Sequence, residues 1–409
     1  MTENVLTFEQ ALAVVLAQAD GLAAGSGAET VSLLDARGRV LAERVVADRD
    51  QPPFDRSTRD GYAVRAGDIA AGREMRVVGS VRAGERWQGE TLREGEAIEI
   101  MTGAPLPDGA DAVVMVEHVA VVGDALEVGR QLRVGENVVE RASEARSGDT
   151  LLPVGQVMDA AEIAVAASCG AAKVKVFARP RVAIVATGDE LVELETEPKE
   201  WEIRNSNSYA LAALVEAEGG AAVRLPIARD TLEDLRARIA EGREADLLLL
   251  SGGVSMGKFD LVEQVLAEAG AEFFFTGALI QPGKPIVFGR LPVVGGAWRY
   301  FFGLPGNPVS TQVCFHLFVA PMLRALAGRR DIVPRFVEAR LREDVKGGAR
   351  VTRFLPAEMV SAWDGVSVGV VGWQGSGDVA ANARGNCYAV LPAGVEAFRA
   401  SETVRVLLR

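Results

Sequence analysis

Apolar residues recur along this chain at two spacings, and the switches between them divide it. Between Thr7 and Ala19 the positions Phe8, Leu12, Val15 and Leu16 repeat at helical spacing behind a capping box of Thr7 and Gln10, which predicts a helix. From Val31 to Val157 the pattern shortens into β-rich runs such as MRVVGSV, EAIEIM and DAVVMVEHVAVV, broken closely by Gly, Pro and Asp. Asp159 with Glu162 opens a second short helix that Gly170 ends, and Pro180 marks a junction. From Arg181 to Gly328 the strands RVAIVAT, AAVRLPIA and DLLLLS alternate with the helices SYALAALVEAEGG, TLEDLRARIAEG and LVEQVLAEAG, the βαβ pattern of a parallel sheet. The short strands EFFFTGAL, PIVFG and YFFGL follow, and a last helix runs to Leu326. Beyond Asp331 the β alternation returns in FVEARL, RVTRFLPAEMV, GVSVGVV and TVRVLL, predicting a small barrel or sandwich.

The run Ala245 to Gly270 combines a buried strand, a glycine loop and a helix. Leu247 to Leu250 is too short for a helix and reads as a central strand covered on both faces. Gly252, Gly253 and Gly257 let the backbone turn and approach a ligand, and Asp260 stands at the cap of the next helix. Such a helix start is an anion site, with a plain structural turn as the alternative. The loop is no Walker A motif, because Phe259 follows Lys258 where Ser or Thr should hold magnesium.

Ligands of open α/β sheets bind beyond the carboxyl ends of the strands. Thr187-Gly188-Asp189-Glu190, the glycine loop, and Pro305-Gly306-Asn307-Pro308-Val309-Ser310 all follow strands there. Gln281-Pro282-Gly283-Lys284-Pro285 precedes a strand, so its side of the sheet is open. Asp189 and Glu190 either hold magnesium, which prefers carboxylates and water, or cap the next element; the glycine-loop amides and Lys284 face phosphate or another oxyanion.

Composition narrows the chemistry. With 409 residues, 49% hydrophobic and 24% charged, the chain has the core material of a multidomain globular protein. No segment approaches the roughly 20 apolar residues of a membrane span, and MTENVLTFEQ has no signal-peptide pattern, so the cytoplasm is expected. A net charge of −12 argues against a nucleic-acid surface. Cys169, Cys314 and Cys387 are scattered, and His118 and His316 read as structural. Chemistry therefore rests on carboxylates, hydroxyls, Lys and Arg, with magnesium as the candidate metal.

The segments RDGYAV (59–64), MTGAPLPDGAD (101–111), TGDEL (187–191), SGGVSMGKFD (251–260), PGKP (282–285), PGNPVS (305–310) and QGSG (374–377) resemble, in order, the motifs of the molybdopterin molybdenumtransferase family. These are the MoeA proteins and the E domain of gephyrin and its plant counterpart. The resemblance implies a three-layer α/β molybdopterin-binding domain (178–328), a β-rich N-terminal composite region with helical linker segments (1–177), and a C-terminal β-barrel-like domain (332–409). It implies a homodimer with a cleft between subunits, and a reaction in which adenylylated molybdopterin and molybdate yield molybdenum on the pterin dithiolene, with magnesium-dependent release of AMP.

By matched position it implies catalytic roles for Asp60, Thr102, Glu190, Asp230, Asp260 and Lys284, with Glu190, Asp230 and Asp260 toward magnesium. It implies pterin contacts at Thr187, Gly188, Asp189, Ser251, Gly252, Gly253, Ser255, Pro305, Gly306, Asn307 and Pro308, and molybdate contacts at Lys284, Pro285, Ser310, Arg353 and Ser376. The chain departs from the family pattern at Lys258, Gln281, Gly277 and Ala145, where metal and oxyanion binding are weakened or changed. Competing readings are a molybdopterin adenylyltransferase-type enzyme, against which MTGAPLPDGAD and the C-terminal β region argue, and a non-catalytic molybdopterin carrier or scaffold. The molybdopterin adenylyltransferase and recipient molybdoenzymes are the candidate protein partners.

Overall fold

A computed structural model describes residues 4–20, 22, 27–253, 261–293, 295–348 and 350–409. The first capping box is formed: Gln10 Oε1 accepts from Thr7 N at 3.0 Å, and Thr7 Oγ1 accepts from Gln10 N at 3.2 Å, ahead of the helix Phe8–Asp20. The buried stripe of that helix, Ala11, Val15 and Ala19, packs into the core of the α/β unit, and Val5–Leu6 pairs in parallel with Gly277–Ala278. The helix expected behind Asp159 spans Ala160–Ser168, with Glu162 Oε2 accepting from Asp159 N at 3.0 Å, and Gly170 beyond it adopts φ 73°.

The N-terminal region holds a six-stranded sheet in the order Ala112–Met115, Gly61–Val64, Glu96–Ile100, Met75–Val81, Ala125–Val128, Val119–Val122. Period-two alternation gives it two cores. Val64, Met75, Ala97 and Val114 fill one, and Ala63, Val81, Ile98 and Val113 the other.

The α/β unit has a six-stranded sheet in the order Ala221–Arg224, Arg181–Ala186, Leu247–Ser251, Trp298–Leu304, Val287–Pro292, Glu272–Phe275. The first four strands are parallel, while the last two join antiparallel, so the sheet is mixed where the βαβ pattern predicts a parallel one. The reason is reach: residues 293–297 alone separate Val287–Pro292 from Trp298–Leu304, enough for a hairpin and too few for a crossover helix. Val182, Ile184, Leu247 and Leu249 face the helices Ser206–Ala217 and Pro308–Leu326, whereas Ala183, Val185, Leu248 and Leu250 face Leu232–Gly242 and Leu261–Glu268. That makes three layers.

The C-terminal strands Thr352–Ala362, Gly365–Val370, Phe336–Leu341, Thr403–Leu408 and Cys387–Leu391 pair in that order, and the last closes on the first. The alternating pattern thus forms a closed barrel, which removes free edges. Ile280–Gln281 extends it by pairing in parallel with Thr352 and Arg353, which ties the α/β unit to the barrel.

Pro308–Leu326 is long and apolar enough to cross a membrane, but it is the buried central helix of the α/β core. It starts with Pro308 behind Asn307 and widens into a π turn at Phe315–Val319. His316 lies in that turn, buried, its Nε2 without a hydrogen-bond partner among the described residues. Burial, with Arg409 and Arg324 pushing the same way against Glu218, lowers its pKa to about 4 from an ordinary 6.5. The fold therefore binds this proton more weakly than the unfolded chain does. Stability from neutral His316 is complete above pH 6.5 and declines as pH falls toward about 4, a loss on the order of 3 kcal/mol. Urea denaturation at pH 7 and pH 4.5 should show His316→Gln losing less stability on acidification than the wild type.

Candidate active site

Three loops leave the carboxyl ends of parallel strands side by side. The strand Arg181–Ala186 delivers Thr187 to Glu190, Leu247–Ser251 delivers Gly252 and Gly253, and Trp298–Leu304 delivers Pro305 to Pro308. Because Val287 lies opposite Gly303 in an antiparallel pair, the loop preceding Val287 reaches the same edge. That decides the side for Gln281 to Pro285. Thr187, Gly188, Glu190, Asp230, Ser251, Gly252, Gly253, Pro285, Pro305, Gly306, Asn307 and Pro308 line one cleft of about 780 Å³.

Its glycines are required where they stand. Gly252 has φ 95°, and a Cβ there would lie 2.4 Å from Thr187 O; at Gly253, φ 65°, it would lie 2.6 Å from Val262 Cγ2. Thr187 Oγ1 donates to Asp230 Oδ1 at 2.7 Å, so the strand end and the Asp230 loop are held together. Glu190 folds its carboxylate against Gly188, and its carbonyl accepts from Ile203 N at 2.8 Å. The donors facing the cleft from Glu190, Asp230 and Thr187 are oxygens, with no His or Cys among the described lining residues, which is the set a hard cation such as magnesium takes. Among the described residues no cluster of three His, Cys, Asp or Glu gathers for a metal. Asp260, Ser255 and Lys258 lie outside the described residues.

Asp189 does not line the cleft; its Oδ1 accepts from Asp230 N at 3.3 Å, as a support to that loop. Lys284, Ser310, Arg353 and Ser376 do not line the cleft, although Lys284 and Ser376 adjoin its lining residues Pro285 and Gly377 in sequence. Lys284 is exposed beside Pro285, and Ser310 is buried next to Val309, whose N donates to Ser376 O at 3.0 Å. Arg353 lies opposite Gln281 in the strand pairing. Its Nη1 donates to Lys346 O at 2.6 Å, and its buried Nε has no partner among the described residues. Burial pulls this guanidinium below its ordinary pKa.

Asp60 and Thr102 pair with each other in the N-terminal region and do not line this cleft. Asp60 Oδ1 accepts from Thr102 N at 2.7 Å and Oγ1 at 2.8 Å, which holds the carboxyl below the usual carboxylate range. At the departures, Gly277 is buried, and a Cβ there would stand 3.0 Å from Val5 Cγ2 and 3.4 Å from Lys284 O. Ala145 is buried against the backbone pairing with Gln51, with Glu144 beside Arg56 at 3.5 Å.

Arg204, Asn205, Ser206 and Asn207 also line the cleft, outside every motif that points to it in the sequence. Two asparagines ahead of an apolar helical run were the available signal. Asn205 is the cap of Ser206–Ala217, its Oδ1 accepting from Ser208 N at 3.2 Å. The pairing of Leu191–Val192 with Ile203–Arg204 brings this corner beside Glu190.

Comparison with known proteins follows the same geography. The model of the MoeA N-terminal region (domain I and II) matches residues 6–170, that of the probable molybdopterin binding domain 183–325, and that of the MoeA C-terminal region (domain IV) 338–408. A molybdopterin molybdenumtransferase of Staphylococcus aureus is 35% identical over 388 residues, covering 93% of this chain and 90% of the relative. One of Staphylococcus epidermidis is 34% identical, covering 92% and 90%. The crystal structure of a molybdopterin biosynthesis MoeA protein from Pyrococcus horikoshii OT3 matches with TM-score 0.82 at 30% identity, covering 99% of this chain and 100% of that one.

Fold and site together define an enzyme of molybdenum cofactor biosynthesis, a transferase. The chain belongs to the MoeA family, as the seven ordered motifs imply.

Proposed function

We propose that this enzyme takes adenylylated molybdopterin and molybdate, releases AMP, and leaves molybdenum on the dithiolene sulfurs of the pterin. The convergence of four loops on the cleft carries this reading, because it sets the Ser251 hydroxyl and the Asn207 amide beside the Glu190 and Asp230 carboxylates in one cleft of about 780 Å³. Glu190 and Asp230, joined by Asp260, would hold magnesium, which when bound supplies charge neutralisation at the pyrophosphate. Thr187 orients Asp230. Ser251, Gly252, Gly253 and the Pro305–Pro308 loop hold the phosphates that join pterin to adenylate. Lys284, Pro285, Ser310, Arg353 and Ser376 receive molybdate, a tetrahedral dianion that needs several donors.

The proposal extends to a homodimer working in the cytoplasm, with Asp60 and Thr102 reaching the cleft of the partner subunit. The absence of Asp60 and Thr102 from the lining of this chain's own cleft supports that arrangement. The test is incubation of purified protein with adenylylated molybdopterin, magnesium and molybdate, following AMP by chromatography. Molybdate-dependent AMP release is expected. A well-folded protein that keeps the pterin and releases no AMP would refute the transferase reading and leave a carrier.

A further inference from the structure

Two hydroxyls in the cleft dispose of their protons differently. Thr187 Oγ1 lies 2.7 Å from Asp230 Oδ1, and a carboxylate only accepts, so the Thr187 proton is committed to Asp230. Ser251 is the other case. Asn207 Nδ2 lies 2.8 Å from Gly306 O and 3.0 Å from Ser251 Oγ. A backbone carbonyl also only accepts, so the amide atom facing Gly306 must be the nitrogen, which fixes the orientation of the Asn207 amide. Its second N–H then points at Ser251 Oγ. With that oxygen accepting, the Ser251 hydroxyl keeps its own proton to give, and no acceptor for it stands among the described residues.

Ser251 is 2% exposed, yet it lines the cleft at the start of the glycine loop. The Gly252 N–H beside it is committed to Leu304 O at 3.1 Å. We propose that Asn207 is a positioning residue: it ties the glycine loop to the Pro305–Pro308 loop and sets Ser251 as a hydrogen-bond donor to the phosphate of the bound substrate. This rests on the proposed function, in which a phosphate occupies the cleft. A side chain on one helix thereby decides the polarity of a hydroxyl 44 residues away.

The test measures binding of AMP, with magnesium, to the full chain by calorimetry, with adenosine as the ligand that lacks phosphate. Ser251→Ala and Asn207→Ala should each weaken AMP binding about tenfold, the size of one charge-assisted hydrogen bond, and leave adenosine within about twofold. The double variant should bind AMP no more than about twofold worse than Asn207→Ala, since Ser251 acts as donor through Asn207. Asn207→Asp keeps the size but introduces an acceptor that repels Gly306 O and takes the Ser251 proton for itself. It should weaken AMP at pH 7 at least as much as Asn207→Ala, and recover as pH falls toward the carboxyl range. If Asn207 merely held two loops together, the Ser251 loss would add in full on top of Asn207→Ala, and that additivity overturns the proposal. Unchanged AMP affinity in Asn207→Asp, with an unshifted melting temperature, overturns it too. A wild-type protein that binds no AMP defeats both this inference and the reading of the site, a pattern distinct from loss of coupling alone.

Discussion

Asp230→Asn should lower molybdate-dependent AMP release by about 10²-fold while leaving the melting temperature nearly unchanged. The substitution keeps shape and an acceptor oxygen for Thr187 Oγ1, now 2.7 Å from Asp230 Oδ1, so the loop geometry survives. What is lost is the negative charge on one of the two carboxylates that line the cleft among the described residues, Glu190 being the other. A charge fixed beside a reacting pyrophosphate stabilises its cation and hence the transition state, and removal of one preorganised electrostatic contact typically costs about 10²–10³ in rate. The magnesium concentration for half-maximal rate should rise in parallel. Steady-state AMP release across a magnesium titration measures both quantities. An unchanged rate and magnesium dependence would move the phosphate chemistry away from this edge of the sheet.

The parts of this site that the sequence discloses are those whose placement is local. Thr187 to Glu190, Gly252, Gly253 and Pro305 to Pro308 each follow an apolar run that forms a strand, and parallel strands bring their carboxyl ends to one edge. The capping boxes at Thr7 and Asp159 were legible for the same reason, since both partners lie within one turn. Asn207 was not legible, because its partners Ser251 and Gly306 are 44 and 99 residues away and no periodicity marks them. The side of the sheet taken by Lys284 also depended on a tertiary fact, the antiparallel return of Val287–Pro292 along Trp298–Leu304. Period-two alternation in the C-terminal region showed strands but could not tell a barrel from a sandwich, since closure is carried by one pairing, Arg353–Ala357 with Cys387–Leu391.

Arg324→Leu should destabilise the protein by about 3–5 kcal/mol, the usual result of stripping one partner from a buried ion pair. Arg324 is 7% exposed and grips Glu218 through both edges, Nε to Oε2 at 2.7 Å and Nη2 to Oε1 at 2.6 Å. Its Nη1 also donates to Val333 O at 3.1 Å, in the segment that leads to the barrel. Glu218 terminates the helix Ser206–Ala217, so one guanidinium joins that helix, the central helix and the connection to the barrel. Without Arg324 the Glu218 carboxylate keeps only Arg329, 3.6 Å away and itself engaged with Asp331, which offsets part of the loss. Glu218→Leu/Arg324→Leu should recover most of the stability, because the cost lies in the stranded charge and far less in the absent pair. Guanidinium chloride unfolding of the two single variants and the double variant measures this. Double-variant stability equal to the sum of the single losses would mean that the pair is not coupled. Because the C-terminal region carries Gly377 into the lining of the cleft, the double variant tests one thing more. With Val333 O unpinned it should regain stability sooner than molybdate affinity, separating what holds the domains folded from what holds them in register.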